Sequence, residues 1–339
     1  MAIREVQGPS LGDIGRLLLP APGRDALLRR HNLSGVKFTG SGKGAIAIAL
    51  RYLAEKKVLE NKLSEVMVAD WIGYWVYGQI QPFAFPSKRY SNRSRAIMVY
   101  HQYGFPQKMD EIMEFARKKD LVVIEDCAHA LASSYKGKPL GSFGDFSIYS
   151  FSKWCFCFAL GGIKSNSSGF EEFCGVQIAN TPFGAGVVKD KAKLLYELNN
   201  DSRFFGRLLN MSYAIYGDAL KPSPFAAKLL VSKLDREIST RRARYGQFLK
   251  ETAHLGICSH LEQKGVTPYV IPIKCPPGRQ QALLKSLASI GVQTGAYHFD
   301  MNRNMLSPKF EKCIWIPCHA GIKDAKFEEM TAAVCKTLG

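Results

Sequence analysis

At 339 residues the chain is too long for one simple core and short for three domains, so two unequal domains are expected. Hydrophobic residues make up 46%, enough for a substantial core, and no stretch approaches the roughly 20 uninterrupted apolar residues of a membrane helix. The formal charge is +17, yet Lys and Arg are spread out with only short clusters such as Arg241-Arg242-Ala243-Arg244, and no nucleic-acid motif accompanies them. A positive field around a site for anionic substrates explains the excess, and it also accommodates contact with an anionic membrane surface. The start, Met-Ala-Ile-Arg-Glu-Val, lacks the apolar core of a signal peptide, so a cytoplasmic location is expected. The nine cysteines are scattered and often flanked by bulky apolar residues. Cys155 and Cys157 stand one residue apart, which is not a metal-ligand spacing, so buried free thiols and no metal site are expected.

In chain order, residues 42–55 carry apolar positions at helical spacing behind a Gly-rich turn. Val66–Ala69 and Ala96–His101 read as buried strands, Lys108–Lys119 as an amphipathic helix, and Leu121–Glu125 as the next strand. Two short strands follow, around Ser147–Phe151 and Gly162–Ser165. Strands alternating with helices predict an α/β fold with a mainly parallel central sheet. From about Leu229 to Leu255 the pattern is a charged connecting helix. Beyond it come a strand at Tyr269–Lys274, a helix over about Arg279–Ile290, a strand near Cys313–Ile316 and a closing helix from about Asp324. These form a small C-terminal α+β domain, so the expected division is 1–235 and 236–339.

The region from Val122 to Gly162 holds the chemistry. Its strand ends in Glu125-Asp126, and ligands of open α/β sheets gather at the carboxyl ends of strands. An aspartate there can also simply cap the next helix. Lys153 follows a later strand and lies among Trp154, Phe156 and Phe158. Such a lysine either snorkels to water or is a desolvated amine suited to forming a Schiff base. Together, on consecutive strands, the two are what pyridoxal 5'-phosphate (PLP) chemistry requires: a carboxylate for the pyridinium and a lysine for the aldehyde.

Several segments then resemble the DegT/DnrJ/EryC1/StrS family. They are Val123-Ile-Glu-Asp-Cys-Ala-His-Ala-Leu131, Tyr135 through Asp145, Ser150-Phe-Ser-Lys153 with Gly161-Gly162, and the earlier Gly40-Ser-Gly-Lys-Gly-Ala45 and Tyr100 through Pro106. Gly295 through His298 and Ile314 through His319 are similar to the family's small domain, so the resemblance runs over nearly the whole chain. It implies the type I, aspartate-aminotransferase-like fold and PLP-dependent transfer of an amino group to a nucleotide-diphosphate-linked keto sugar. The usual donor is glutamate, and the setting is polysaccharide or secondary-metabolite sugar synthesis. Asp126 is thereby expected at the pyridine nitrogen, Lys153 at the aldehyde, Ala128 on a ring face and His129 near the ring hydroxyl. Ser41, Gly42 and Lys43, at a helix N-terminus, and Ser150 are expected to hold the phosphate. A homodimer is implied, because family sites lie at a subunit interface.

Departures cluster around the expected cofactor. Lys43 stands where the family usually has Thr, and the ring-stacking aromatic is left open between Trp71 and Tyr74. The usual Gly-Glu-Gly-Gly is reduced to Leu160-Gly161-Gly162. The segment that normally lends an Asn to the neighbouring subunit's phosphate is matched best by residues 219–223, with Lys221 as the replacement. Two alternatives therefore stay open: a sugar dehydratase of the same family, or a catalytically inactive cofactor-binding scaffold in envelope polysaccharide synthesis. A lysine at 153 favours transamination, because family dehydratases commonly carry His there. His298 and His319 are expected either near the substrate cleft or as satisfied core histidines.

Overall fold

The computed structural model describes residues 3–18, 23–182, 184–198, 203–204, 206–208, 211, 220–261 and 263–339. Ala219, in the segment expected to meet a neighbouring subunit, lies outside them. The first half of the chain builds one seven-stranded sheet from β1 (Lys37–Thr39), β2 (Glu65–Met67), β3 (Phe85–Ser87), β4 (Ser94–Tyr100), β5 (Val122–Asp126), β8 (Phe146–Ser150) and β9 (Gly161–Ser165). Between β5 and β8 a small hairpin, β6 (Ser134–Tyr135) and β7 (Lys138–Pro139), stands apart. Across the large sheet the order is β1-β9-β8-β5-β4-β2-β3.

Side-chain alternation explains why these runs become central strands. On β4, Ile97 and Val99 enter one apolar cluster while Ala96 and Met98 enter another on the opposite face. On β5 and β8, Val123 and Tyr149 go to the first face, Ile124 and Ile148 to the second. The second face is covered by α3 (Gly42–Glu55), which buries Ala45, Ile48, Ala49 and Leu53, and by α6 (Phe170–Ala179), which buries Phe170 and Cys174. The first face is covered by α5 (Met109–Lys118) through Met109 and Ile112, and by a long helix near the boundary between the two halves.

Parallel pairing joins β2 to β3 and β4, β4 to β5, and β5 to β8. The pairs β8–β9 and β1–β9 are antiparallel. The reason is local: β9 follows β8 after a ten-residue bend over residues 151–160 with no crossover helix, and a connection that short returns the chain antiparallel. Register aligns the functional ends, with Tyr100 opposite Asp126, Asp126 opposite Ile148, and Ser150 opposite Gly161.

Among the described residues the first half also carries α1 (Leu11–Leu18), α2 (Arg24–Arg30), α4 (Tyr74–Ile80) and α7 (Ala185–Leu198). The long helix is α8 (Pro224–Glu251), with Pro at its start. It places Leu229, Leu230, Leu234 and Ile238 in the first cluster and Tyr245 and Phe248 in a separate C-terminal core. The division expected near residue 235 thus falls inside a continuous helix. The C-terminal unit is a three-stranded antiparallel sheet in the order β10-β12-β11, with β10 (Val270–Lys274), β11 (Ala296–Asp300) and β12 (Phe310–Pro317). Two helices pack on it, α9 (Gln280–Ser289) and α10 (Asp324–Leu338). Among the described residues no helix is long and apolar enough to cross a membrane.

Candidate active site

A cavity of about 680 Å³ opens at the carboxyl ends of β4, β5 and β8. Asp126, the last residue of β5, faces it; Glu125 before it faces the other way, as strand geometry requires. Glu125 accepts backbone N–H bonds from Gly141 (2.9 Å), Phe143 (2.6 Å) and Gly144 (2.7 Å), and lies 3.3 Å from His101 Nε2. Burial works to raise its carboxyl, but His101 and those N–H groups outweigh it and hold the group below its usual value. Its neighbours His101 and Cys127 lie within ligand distance, yet this carboxylate is already saturated by backbone donors, so the trio serves the fold. Asp126 is in the opposite condition. Burial raises its carboxyl above the ordinary value, and the Ala128 N–H bond (3.0 Å) and the charge of Lys153 offset this only in part. It is a buried carboxylate whose charge Lys153 compensates only in part.

Lys153 ends a tight turn at the start of the bend between β8 and β9. The bend is fixed from three sides: Ser152 N donates to Leu160 O (3.3 Å), Trp154 Nε1 to Ala128 O (3.1 Å), and Arg241 Nη2 to Trp154 O (3.2 Å). Burial holds the Lys153 ammonium below its ordinary range, and the carboxylates of Asp126 and Glu5 counter this in part. Its Nζ lies 2.8 Å from His129 Nε2. The other ring nitrogen of His129 lies 2.6 Å from the Tyr100 hydroxyl, and Tyr269 stacks on the imidazole at 4.3 Å.

The first turn of α3 forms a third wall. Ser41 is its N-cap, extended in backbone, with Oγ accepting from Gly44 N at 3.1 Å. Gly161 lets β9 pack closely against this turn: a Cβ there would sit 2.2 Å from Ser41 C and 2.4 Å from Gly42 N. A Cβ on Gly42 would lie 2.9 Å from Ser150 Cβ. Lys43 is brought down to about 8 by burial, and its Nζ sits 3.6 Å over the Trp75 ring.

Of the residues expected from the sequence, Ser41, Gly42, Lys43, Asp126, Ala128, Ser150 and Lys153 all line this cavity, and His129 joins it through Lys153. Trp71 is stacked on His298 at 3.9 Å, and Tyr74 is 67% exposed against Trp75; neither is among the lining residues. Trp75 of the same aromatic run faces the cavity instead. Lys221 is exposed, its backbone N–H donating to Thr181 Oγ1 (2.8 Å), and it does not line the cavity of its own subunit. His319 is buried, its Nε2 within 3.0 Å of Arg4 O, the satisfied alternative of the two. Sequence reasoning missed Tyr100 and Tyr269 as lining groups, and also the N-terminal segment from Arg4 to Gln7. That segment carries no motif; it arrives through an isolated bridge between Ile3 and Val292.

The description of the DegT/DnrJ/EryC1/StrS aminotransferase family matches residues 87–335. The chain belongs to that family. Its stretch of 64 residues similar to GDP-perosamine synthase of Escherichia coli is 50% identical, and covers 19% of this chain and 18% of that protein. A longer similarity, 29% identical over 260 residues, is to UDP-4-amino-4,6-dideoxy-N-acetyl-beta-L-altrosamine transaminase of Campylobacter jejuni, covering 70% of this chain and 64% of the relative. Both curated relatives are thus matched over less than two thirds of their length. Helicobacter pylori PseC, an aminotransferase involved in pseudoaminic acid biosynthesis, shares the fold at a TM-score of 0.70, with 15% identity and 98% of each chain covered. This is the type I PLP-enzyme architecture expected from the sequence.

The cavity of this family member fits PLP. The Lys153 charge offsets the burial of Asp126 only in part, so a pyridinium would suit that carboxylate; the first turn of α3 lines the same cavity through Ser41, Gly42 and Lys43, and a desolvated lysine faces it.

Proposed function

We propose that this chain is a PLP-dependent aminotransferase that acts on a keto sugar linked to a nucleotide diphosphate, with glutamate as amino donor. The observation that carries the reading is one cavity faced by Asp126, Lys153 and the first turn of α3, from three separate elements. When bound, PLP supplies an electron-withdrawing pyridinium ring for the carbon that bears the amino group.

The residues divide the remaining work. Asp126 would hold the pyridine nitrogen protonated, an ion pair that relieves the unfavourable burial of its carboxyl. The α3 N–H groups, Ser41 and Ser150 would bind the phosphate, with Lys43 adding a cation. Ala128 would pack against one ring face, and Trp75 is better placed than Trp71 or Tyr74 to cover the other. Lys153 would hold and move at its Nζ the proton that the amino transfer requires. The +17 charge suits a substrate that carries a diphosphate.

The printed names of the relatives, GDP-perosamine synthase and the UDP-linked amino-sugar transaminase, support a nucleotide-sugar substrate. We also propose a homodimer in the cytoplasm, with Lys221 offered to the neighbouring subunit's phosphate. Lysine rather than histidine at 153 favours transamination over dehydration.

The test is spectroscopic and chemical. The purified protein should carry a visible absorption band that borohydride bleaches and Lys153→Ala lacks. It should turn glutamate into 2-oxoglutarate in the presence of a nucleotide-linked keto sugar. A colourless protein that takes up no PLP would defeat the PLP reading, and a coloured one that never consumes an amino donor would defeat transamination.

A further inference from the structure

Tyr100 ends β4 directly opposite Asp126, and its hydroxyl reaches His129 Nδ1 at 2.6 Å while His129 Nε2 reaches Lys153 Nζ at 2.8 Å. The imidazole between them cannot turn away, because Tyr269 is stacked on it at 4.3 Å and 6° and Tyr103 lies on it at 5.8 Å and 24°. Three side chains from three segments therefore make one hydrogen-bond chain, and both of its ends, Tyr100 and Lys153, line the cavity.

A neutral imidazole has one donor nitrogen and one acceptor nitrogen, so such a chain has a direction. While Lys153 is an ammonium it can only donate, so Nε2 accepts, Nδ1–H donates to the tyrosine oxygen, and the tyrosine O–H is left to point into the cavity. When Lys153 is a neutral amine, the tyrosine O–H can donate to Nδ1, and Nε2–H to the lysine nitrogen. We propose that Tyr100 and His129 are positioning residues forming a proton exit for Lys153, whose reversal delivers the lysine's proton to the cavity through the tyrosine hydroxyl.

The balance is complete. The N–H bond at Lys153 breaks as Nε2–H forms, Nδ1–H breaks as a new O–H forms on Tyr100, and the original tyrosine proton passes to solvent water in the cavity. No charge stays on the imidazole, as its surroundings demand: burial, then the charges of Lys153 and Arg241, hold His129 well below its ordinary value. The titratable and charged groups facing the chain are Asp126 and Glu5 toward the lysine, Arg241 toward the imidazole, and Asp126, Tyr103 and Tyr269 toward Tyr100. The inference deepens the aminotransferase reading, since it gives the reactive amine a way to shed its proton, but its test needs no turnover.

The experiment uses the full chain freed of bound cofactor, with histidine labelled in nitrogen-15 and the His129 signals assigned with His129→Gln. In the wild type, the unprotonated ring nitrogen should change from Nε2 to Nδ1 as Lys153 titrates, followed in parallel by competitive acetylation of that lysine. In Tyr100→Phe, which keeps the ring but removes the hydroxyl, the tautomer should stay fixed. The lysine midpoint should then fall by about 1 pH unit, because the ammonium loses its polarised partner chain. In His129→Gln, adding Tyr100→Phe should shift the midpoint no further. A wild-type imidazole that keeps one tautomer throughout, or a Tyr100→Phe midpoint equal to wild type, would overturn the relay. Failure to bind PLP would defeat the functional reading and leave this result standing.

Discussion

Gly161, packed against the α3 turn, and Lys43, which lines the cavity, show how much single residues decide. A methyl group at 161 would meet the backbone of Ser41 and Gly42 at 2.2–2.4 Å, and backbone cannot swing aside as a side chain can. Gly161→Ala should therefore push β9 from the α3 turn, costing ~1–3 kcal/mol of stability. Thermal melts should show it, together with at least a tenfold loss of PLP affinity by fluorescence titration. Lys43 predicts a pH effect of definite sign. It is a cation below about 8 and neutral above, so affinity for inorganic phosphate or PLP should begin to fall as pH rises through that value. Lys43→Met should bind about tenfold more weakly at pH 7 and lose that dependence, as expected for one charge-assisted bond. Equal pH profiles for the two proteins would remove Lys43 from the anion site. At this scale the sequence was informative where a motif was long, as around Asp126, and ambiguous where chemistry was repetitive. Trp71, Tyr74 and Trp75 are equally aromatic, and only the emergence of α4 at Tyr74 decides which one faces inward. Tyr100 opened a family-like segment but suggested no role, because it ends an apolar strand, where an aromatic is ordinary.

At the scale of elements, legibility followed burial and length. Helix α3 occupies residues 42–55 as its pattern foretold, because a Ser N-cap and a stripe of Ala, Ile and Leu agree on both its ends and its face. Strands β1, β2 and β3 are three residues each, too short for alternation to declare itself, and β11 begins with two exposed residues. The antiparallel return of β9 was likewise unreadable, since it depends on a bend with no regular pattern. Arg241 on α8 ties that bend to its surroundings. It is fully buried, pairs with Glu237 at 2.5 Å, and donates to Trp154 O and to the Tyr269 carbonyl. Arg241→Ala would strand the Glu237 carboxylate and free the carbonyl just after Lys153. It should lower stability by ~3–5 kcal/mol in urea titrations. Arg241→Lys, one cation without the planar fork, should recover only part of that.

For the whole molecule, α8 is the decisive element. Its first half is embedded among Leu229, Leu230, Leu234 and Ile238 against the large sheet, and its second half holds Tyr245 and Phe248 in the C-terminal core. The sequence led us to expect two units with a connecting helix between them. What composition could not reveal is that the connector is itself part of both interiors. Calorimetry should accordingly show a single unfolding transition, and a fragment beginning at residue 236 should not fold, because it starts inside a helix whose other half it lacks. Two resolved transitions would mean that the cores are energetically separable.

The same continuity restricts how the protein can move. Enzymes that close over a substrate commonly do so about a few loop residues that absorb a large change in φ and ψ. Here the route through α8 contains no such loop, and bending the helix would break hydrogen bonds in both interiors. The C-terminal unit is left with sliding displacements of packed side chains, a shear rather than a hinge. Large substrates must then be admitted by the cavity's own rim, so changes in acceptor range should map to rim side chains and not to the relative orientation of the two units.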